Sequence, residues 1–379
     1  MVGRDIATRA EPLHIHAMVS TQWLTGFLFD YRLLKNMTDL QQSSLRGPVR
    51  LCEVHRTSYS HGCGPGACAT EERTSVMIAE FRQDGFFRRH HQKDRQGEWT
   101  NIFEYDKQND RLTAVRVERG DEVTIAKRLE YDSAGKLLRV IVPDKNREQR
   151  IAETYSYDDD GKKKKVTHLE PVDLPAGECG ILIPVEGTEL CYGMPGVATI
   201  TSNYNLRRLP TEHLFHDSSG EFLGRIDLLY DDHGNLIEDR CIHQKLPPQI
   251  TGQLNTEQLE AMRKAFSFGR RHRYDDRNRR IETSSTMPGS DRNKKTFAYN
   301  DYGDVVSEAS DVSHSEYALE EHGALVTKPG STRSHHSEIL FRYQYDSRAN
   351  WIEKIVEASG QIWSIERRTI NYFDDAGAV

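Results

Sequence analysis

A seven-residue phrase recurs along this chain and constrains its fold more than any other feature. The clearest copies are Tyr131-Asp132-Ser133-Ala134-Gly135-Lys136-Leu137 and Tyr230-Asp231-Asp232-His233-Gly234-Asn235-Leu236. Aspartate at the first position of a type I turn caps the turn backbone, and glycine at the fourth takes φ > 0 without a Cβ clash. The phrase therefore predicts a strand, a type I turn with a glycine bulge, and a second strand. The tyrosine ends one strand and the leucine opens the next, on one face of the sheet. Such a cross-strand pair contributes about 0.2–1 kcal/mol, so one hairpin cannot hold a fold and many stacked edge to edge can. Asp132, Gly135, Asp158, Gly161, Asp231 and Gly234 are read as structural turn residues and poor candidates for chemistry.

Further copies begin at Tyr105, Tyr157, Tyr274, Tyr299, Tyr345 and Tyr372, with weaker ones at Phe81-Arg82-Gln83-Asp84-Gly85 and around Asp217-Ser218-Ser219-Gly220. Tyr131 follows Tyr105 by 26 residues, Tyr157 follows Tyr131 by 26, Tyr299 follows Tyr274 by 25 and Tyr372 follows Tyr345 by 27. About 25 residues make two strands and two turns, and repetition at that length implies a quasi-linear or curling array. Some copies depart from the phrase. Asn109 and Asn278 stand where glycine is expected, Asn300 follows Tyr299 in place of aspartate, and Ala349-Asn350 closes the copy at Tyr345. Asparagine tolerates left-handed backbone, whereas alanine does so poorly.

With this phrase at this period over roughly residues 75 to 379, the chain resembles the YD repeat of RHS-type proteins. The resemblance implies extended β-hairpin sheets, which in large members spiral into a hollow shell. It also implies two roles: shells that enclose a toxic cargo, and extracellular surfaces that bind carbohydrate or other partners. The shell role fits less well. The chain is shorter than the large shells, shows no separate cargo domain after its last repeat, and lacks the proline- and glycine-rich self-cleavage signature that ends the repeats in shell proteins.

Composition sharpens the fold class. Hydrophobic residues make up 36% and charged residues 29% of the chain, which suits a single twisted sheet with much exposed area. Fifty-eight acids against 51 bases give a net charge of −7, which argues against nucleic acid as the main partner. No run of about 18 apolar residues is present, so no membrane span is expected. The start, Met1-Val2-Gly3-Arg4-Asp5, leads into polar sequence without a signal core, so the expectation is cytoplasmic, or secreted or cell-surface where an export signal has been removed.

Few residues suggest chemistry. No G-x-S-x-G, P-loop, H-E-x-x-H or paired C-x-x-C motif occurs. His55, His61, Cys63 and Cys68, with Cys52 nearby, form the best metal-like group, with His61, Cys63 and Cys68 its leading candidates, but their spacing matches no zinc template; no metal and no cofactor are expected. Cys63 and Cys68 flank a Gly64-Pro65-Gly66-Ala67 turn, and Cys179 and Cys191 flank an insertion; both pairs are disulfide candidates in an exported protein and free thiols in a cytosolic one. The pairs His90-His91 and His335-His336 should each divide between the two faces of a strand.

In chain order, residues 1–74 are read as an N-terminal cap over the first sheet edge, containing apolar Trp23 to Leu34 and the cysteine-rich turn. Residues 75–379 are the repeat sheet, with insertions near 171–210, 246–270 and 306–338, the last a long loop. Lys162 to Lys165 reads as a solvated edge strand. Asn255 or Thr256 caps a helix that runs to Phe266, with Leu259, Met262 and Phe266 on the face that packs on the sheet. The arginines of residues 270–280 should divide between faces, locally neutralised by Asp275 and Asp276.

The expected architecture is thus mostly β: a repetitive antiparallel β-hairpin array, extended and curled, with one short helix and loop insertions. The expected function is a non-enzymatic structural or binding module whose ligand is carbohydrate or another protein. The alternatives are a metal-dependent or hydrolase-like enzyme built on the 171–210 insertion and the cysteine-rich turn, and a remnant or partner of a polymorphic toxin system. Whether the sheet closes, and the oligomeric state, stay open at this level.

Overall fold

The computed structural model describes residues 38–61, 70–143, 147–161, 163–168, 183–184, 191–192, 197–207, 209–245, 255–285, 293–314, 317–319, 325–327 and 332–374. Its first nine strands are β1 (Val49–His61), β2 (Thr70–Phe81), β3 (Phe87–Asp94), β4 (Gly97–Tyr105), β5 (Leu112–Arg119), β6 (Glu122–Tyr131), β7 (Leu137–Pro143), β8 (Gln149–Tyr157) and β9 (Lys163–His168). A two-stranded piece follows, β10 (Ile183–Pro184) with β11 (Cys191–Tyr192). Next come β12 (Thr199–Tyr204), β13 (Pro210–His216), β14 (Phe222–Tyr230), β15 (Leu236–His243), β16 (Phe268–Tyr274), β17 (Arg280–Ser285), β18 (Lys294–Tyr299) and β19 (Val305–His314). A second small pair, β20 (Tyr317–Leu319) with β21 (Leu325–Thr327), precedes β22 (Arg333–Tyr345), β23 (Trp351–Ala358) and β24 (Gln361–Tyr372).

Apart from the two small pairs, all strands belong to one 20-stranded sheet in which every pairing is antiparallel. Sequence neighbours pair from β1 to β9, β9 pairs with β12, β12 to β19 pair in turn, and β19 pairs with β22. The last strand then pairs with the first, from Leu51↔Asn371 through Glu53↔Thr369 to Ser58↔Ser364. The sheet has curled until its hydrogen-bonded circuit has no free edge. At the usual strand spacing and tilt, a circular ring of this size is about 40 Å across.

Following the Cα partners around the circuit keeps one face throughout. Cys52 leads to Ala79, His90, Asn101 and Val117 on one side, and to Ile370 on the other. Ile200 leads through Phe215 to Gly224, and His213 through Ile226 to Cys241. The buried side chains collect on this face, both the apolar clusters and the polar His90, Gln92, Ser202, His213, Asp239 and His272. β22 shows the alternation most cleanly from Ser337 to Tyr345, with odd residues half-buried and even residues exposed. The opposite face carries ion pairs such as Arg89–Glu118, Arg116–Glu104, Arg273–Glu282, Arg342–Glu357 and Arg367–Glu353. We take the buried face as the inside of the ring and the charged one as the outside.

Antiparallel pairing puts turns that follow alternate strands at the same rim. The turns after β2, β4, β6, β8, β12, β14, β16, β18 and β22 all emerge at one rim, and each begins with the phrase or a variant of it. The stretches between β9 and β12, β15 and β16, and β19 and β22 leave from the opposite rim. The turn around Asp217 also lies at that opposite rim.

At the tyrosine rim the turn chemistry is uniform. Asp132 Oδ1 accepts from Lys136 N, Asp231 Oδ1 from Asn235 N, Asp275 Oδ1 from Arg279 N and Asn300 Oδ1 from Asp304 N, at 2.8–3.0 Å. Gly135, Gly161, Gly234 and Gly303 take φ of 77–86°, and Asn278 and Ala349 take 58° and 61° in the same place. The copy at Tyr105 differs from its sequence-based alignment. Its loop is one residue longer, and Asp110, not Asn109, is left-handed at φ 54°. Gly135 has a second reason to lack a Cβ: one there would collide with the Arg111 guanidinium. Ala349 carries strain that glycine would relieve. Ala349→Gly is expected to raise stability by about 1 kcal/mol, read as a higher urea midpoint at unchanged slope.

The tyrosines also tie each hairpin to its predecessor. Tyr105 Oη donates to Phe87 O, Tyr131 Oη to Leu112 O, Tyr157 Oη to Leu137 O, Tyr274 Oη to Leu236 O and Tyr299 Oη to Arg280 O, at 2.6–2.9 Å. Burial pushes the Tyr157 hydroxyl up to about 12, so it stays a donor. The residue just before the second strand is equally engaged. Arg111, Lys136 and Arg279 lie over the rings of Tyr131, Tyr157 and Tyr299, at 4.8–5.9 Å from the ring centres.

The seam between β24 and β1 is closed differently, by residues 38–48. A four-residue helical turn, Asp39–Gln42, sits at the rim, where buried Asp39 accepts from Phe87 N at 2.5 Å and Leu40 N donates to Gly85 O. Arg46 donates to Ala349 O and Tyr302 O, and Asn350 bonds both backbone groups of Arg46.

Several sequence-based expectations are corrected here. β1 and β2 are ring strands, so residue 74 falls inside a strand; Trp23 to Leu34 lies outside the described residues. β9 is paired on both sides, with β8 and β12, so its lysine run is not an edge. The ring resumes at Thr199, well before residue 210, and residues 306–314 and 333–338 belong to the ring strands β19 and β22 rather than to a loop. Their alternating serines and histidines read as loop because the inner face itself is polar. The helix is Thr256–Phe266, capped by Asn255, whose side chain accepts from Gln258 N while Gln258 Oε1 accepts from Asn255 N, and it lies against β15.

Candidate functional site

Most of the residues that sequence alone nominated for metal or disulfide chemistry fall outside what the structure describes. Cys63, Cys68 and Cys179 lie outside the described residues, as do the side chains of His61 and Cys191. Cys52 faces inward, buried, while His55 lies exposed against Glu53 Oε1 at 2.6 Å on the other face of the same strand. Among the described residues, no group of three or more His, Cys, Asp or Glu side chains is placed to hold a metal ion. Cys52 and Cys241 are free and buried, and burial pushes both thiols up, Cys241 to about 12, which leaves them weak nucleophiles. His90 and His91 divide between faces: His90 is buried beside Phe87, and His91 Nδ1 lies 3.1 Å from Thr100 Oγ1 on the outside.

The basic stretch from Arg270 is likewise divided. Arg270 points inward and grips fully buried Asp239 with Nε at 3.1 Å and Nη2 at 2.7 Å. Arg271 and Arg273 point outward to Glu238 and Glu282. Their acids come from neighbouring strands; of the two aspartates nearby in sequence, Asp275 caps its turn and pairs with Arg279. His272 stands beside Asp239 at 3.5 Å with its other nitrogen 3.0 Å from Thr283 Oγ1, and Ser202 Oγ lies 2.8 Å from His213 Nδ1. Neither arrangement is a catalytic triad. His213 and Asp239 are separated by the whole of β14, and Ser202 and His213 are buried in the wall. These pairs engage polar groups within an otherwise apolar patch, although His272 Nε2 makes no hydrogen bond.

A different patch, not legible in the sequence, lines the inside across β22, β23, β24 and β1. Tyr343 faces Lys354, Lys354 faces Glu366, and Glu366 faces Arg56 in successive strands. Arg56 Nη2 meets Glu366 Oε1 at 3.1 Å. Arg368 lies one step nearer the tyrosine rim, opposite Val54, with its guanidinium 3.3 Å from the centre of the Trp351 ring. Lys354 Nζ lies 5.3 Å from the Phe341 ring and 6.0 Å from Trp351. Burial pulls both Lys354 and Arg368 below their usual ranges, although Glu366 opposes the shift in each. The patch therefore offers two half-buried cations framed by aromatic rings, an arrangement suited to an anion or a flat polar surface.

Comparisons with known proteins place these features only loosely. No known family's sequence model matches the chain, and no curated protein matches it. Among solved structures, a Photorhabdus luminescens Tc holotoxin pore aligns at 10% identity over 83% of this chain and 19% of that one, with a TM-score of 0.24. The TcdB2-TccC3 structure aligns at 12% identity over 76% and 20%, with a TM-score of 0.20. A porin-like protein from Bacteroides uniformis aligns at 9% identity over 85% and 96%, with a TM-score of 0.29. The chain spans about a fifth of the toxin chains it matches. Scores this low support no inference about activity, substrate or partner.

A closed circuit of strands raises the question of what its outer face meets. A strand that crosses a bilayer turns apolar side chains to lipid, and arginine or lysine at mid-membrane costs about 2–4 kcal/mol each. Here the outer face presents Arg89, Arg116, Arg273, Arg342 and Arg367 with their acids. That face is built for water. No helix among the described residues is long and apolar enough to cross a membrane.

One shallow groove, of about 340 Å³, lies at the tyrosine rim between the turns after β12 and β14. Leu206 and Leu229 are exposed there, and Arg207 bonds across it to Asp232 O. The turn after β12 is itself a copy of the phrase, begun by Tyr204-Asn205, which the sequence disguises.

Proposed function

We propose that this chain is a non-enzymatic structural or binding module of the YD-repeat type, whose inner wall meets a protein or carbohydrate ligand. The observation that carries the reading is the closed circuit of strands with its tyrosine turns on one rim. Such a ring uses its phrase residues for construction and leaves the polar inner wall for recognition. The buried thiols and the buried Ser202–His213 pair support the non-enzymatic part, because each lacks the exposure that nucleophilic catalysis requires.

Two measurements test it. Glu53→Cys with Thr369→Cys places cysteines on directly paired residues of β1 and β24. Oxidation is expected to give an intramolecular disulfide, seen by mass spectrometry of non-reduced peptides, because directly paired Cα atoms lie within disulfide range. Failure to cross-link in folded protein counts against closure. For the role itself, the chain is incubated with panels of oligosaccharides and peptides. Retention of a ligand with its mass unchanged supports a binding module; catalytic turnover of any panel member overturns the non-enzymatic reading.

A further inference from the structure

The patch on β22, β23, β24 and β1 is electrostatically unbalanced. Its cations are Arg56, Lys354 and Arg368, and the carboxylates near it are Glu366 and Asp304. Glu366 is engaged by Arg56, and Asp304 accepts from Tyr345 Oη at 2.7 Å. Cys52, the remaining titratable neighbour of Arg368 on β1, is held neutral by burial. Lys354 and Arg368 contact aromatic rings but have no carboxylate within ion-pair distance among the described residues. Nε and Nη1 of Arg368 are buried without a hydrogen-bond partner. Two cations partly withdrawn from water and without a carboxylate partner are costly, and a charge-assisted bond to an anion offsets that cost.

We infer that this patch is a ligand site for an oxyanion, a carboxylate, sulfate or phosphate group presented inside the ring, bound by Lys354 and Arg368. Both side chains are half-buried, so each keeps surface toward the interior. Trp351 holds the Arg368 guanidinium by stacking, which fixes its plane before any ligand arrives. Arg56 supplies a third positive charge while remaining tied to Glu366. The inference rests on the interior being the ligand-facing surface, as proposed above, and it adds the charge of the ligand.

The test uses the full chain and three probes: sulfate, inorganic phosphate and acetate, titrated at constant ionic strength against chloride. Replacing Trp23, Trp99 and Trp363 by phenylalanine leaves Trp351 as the sole tryptophan and makes its fluorescence a local reporter, and the melting temperature is a second readout. At least one oxyanion is expected to give a saturable fluorescence change and a rise in melting temperature that chloride does not give. Arg368→Met and Lys354→Met are each expected to raise the half-saturation concentration at least tenfold. Lys354→Met keeps the test decisive if Arg368→Met does not fold. Identical responses to chloride and all three oxyanions, or unchanged affinity in both folded variants, would overturn the site. A negative result beside an intact β1–β24 cross-link removes the anion site and leaves the ring standing.

Discussion

Asn350→Leu is expected to destabilise the protein by about 3 kcal/mol and to loosen the seam of the ring before any other joint. Asn350 is 1% exposed and stands at the turn between β22 and β23. Its Oδ1 accepts from Arg46 N at 2.6 Å, and its Nδ2 donates to Arg46 O at 2.9 Å and Tyr372 Oη at 2.7 Å. Leucine has similar volume and makes none of these bonds. Each lost bond costs about 1 kcal/mol, and more where a partner is left buried and unsatisfied. The partners are far apart in sequence, so the amide staples the segment before β1 to the far end of the chain. Urea denaturation measures the magnitude. Hydrogen exchange should show faster opening of β1 and β24 than of β13 and β14. Uniform acceleration across the ring would show that the seam is no special joint. Arg46→Ala, which removes the side-chain bonds to Ala349 O and Tyr302 O and the contact with the Tyr302 ring but leaves the backbone pair with Asn350, should cost less because those bonds are exposed.

His90 should make the protein acid-sensitive by about 3 kcal/mol. Its imidazole is 3% exposed on the inner face, with the Phe87 ring 5.6 Å away. Burial, helped by His91, lowers it from 6.5 to about 4. Between those values the unfolded chain takes up a proton that the folded chain refuses. Stability from this group is therefore fully present above about pH 6.5, falls as pH drops, and levels off below about pH 4. A difference of about 2.5 pK units corresponds to about 3 kcal/mol. Burial lowers His243 as well, in the same direction. The measurement is unfolding free energy against pH for the wild type and His90→Gln. The variant should show the shallower slope between pH 6.5 and 4; parallel profiles would show that His90 is not the group responsible. The comparison with the variant matters because carboxylates held low by hydrogen bonds, such as Asp275, add their own losses at more acidic pH.

Much of the ring was legible in the chain. Tyr131 pairs with Leu137 and Tyr230 with Leu236 across bulged turns, and Asp132, Asp231 and Asp275 cap them, because turn chemistry is local and each residue type answers one steric or hydrogen-bonding demand. The copy at Tyr204 was missed because its residues disguise it. Asn205 replaces aspartate, and Leu206 and Arg207 follow, yet Asn205 Oδ1 accepts from Arg207 N and Leu209 N as an aspartate would. One signal was present: Tyr204 precedes Tyr230 by 26 residues, the period of the array. The phrase position before the aliphatic residue looked unconstrained, yet Arg111, Lys136 and Arg279 cover the next hairpin's tyrosine from it. A contact with the neighbouring repeat leaves no mark within its own.

The sequence by itself determined the hairpin, its turn and its period, since these follow from φ/ψ limits and from the alternation of side chains along a strand. Only the tertiary structure decided that β24 meets β1, that Asn350 and Arg46 seal that joint, and that Lys354 and Arg368 stand together with no carboxylate at ion-pair distance. The reason is physical. Strand pairing is made by backbone groups that nearly every residue carries, so partners hundreds of residues apart are not announced by their side chains. A lysine and an arginine 14 residues apart read as solvated charges until curling of the sheet turns both inward.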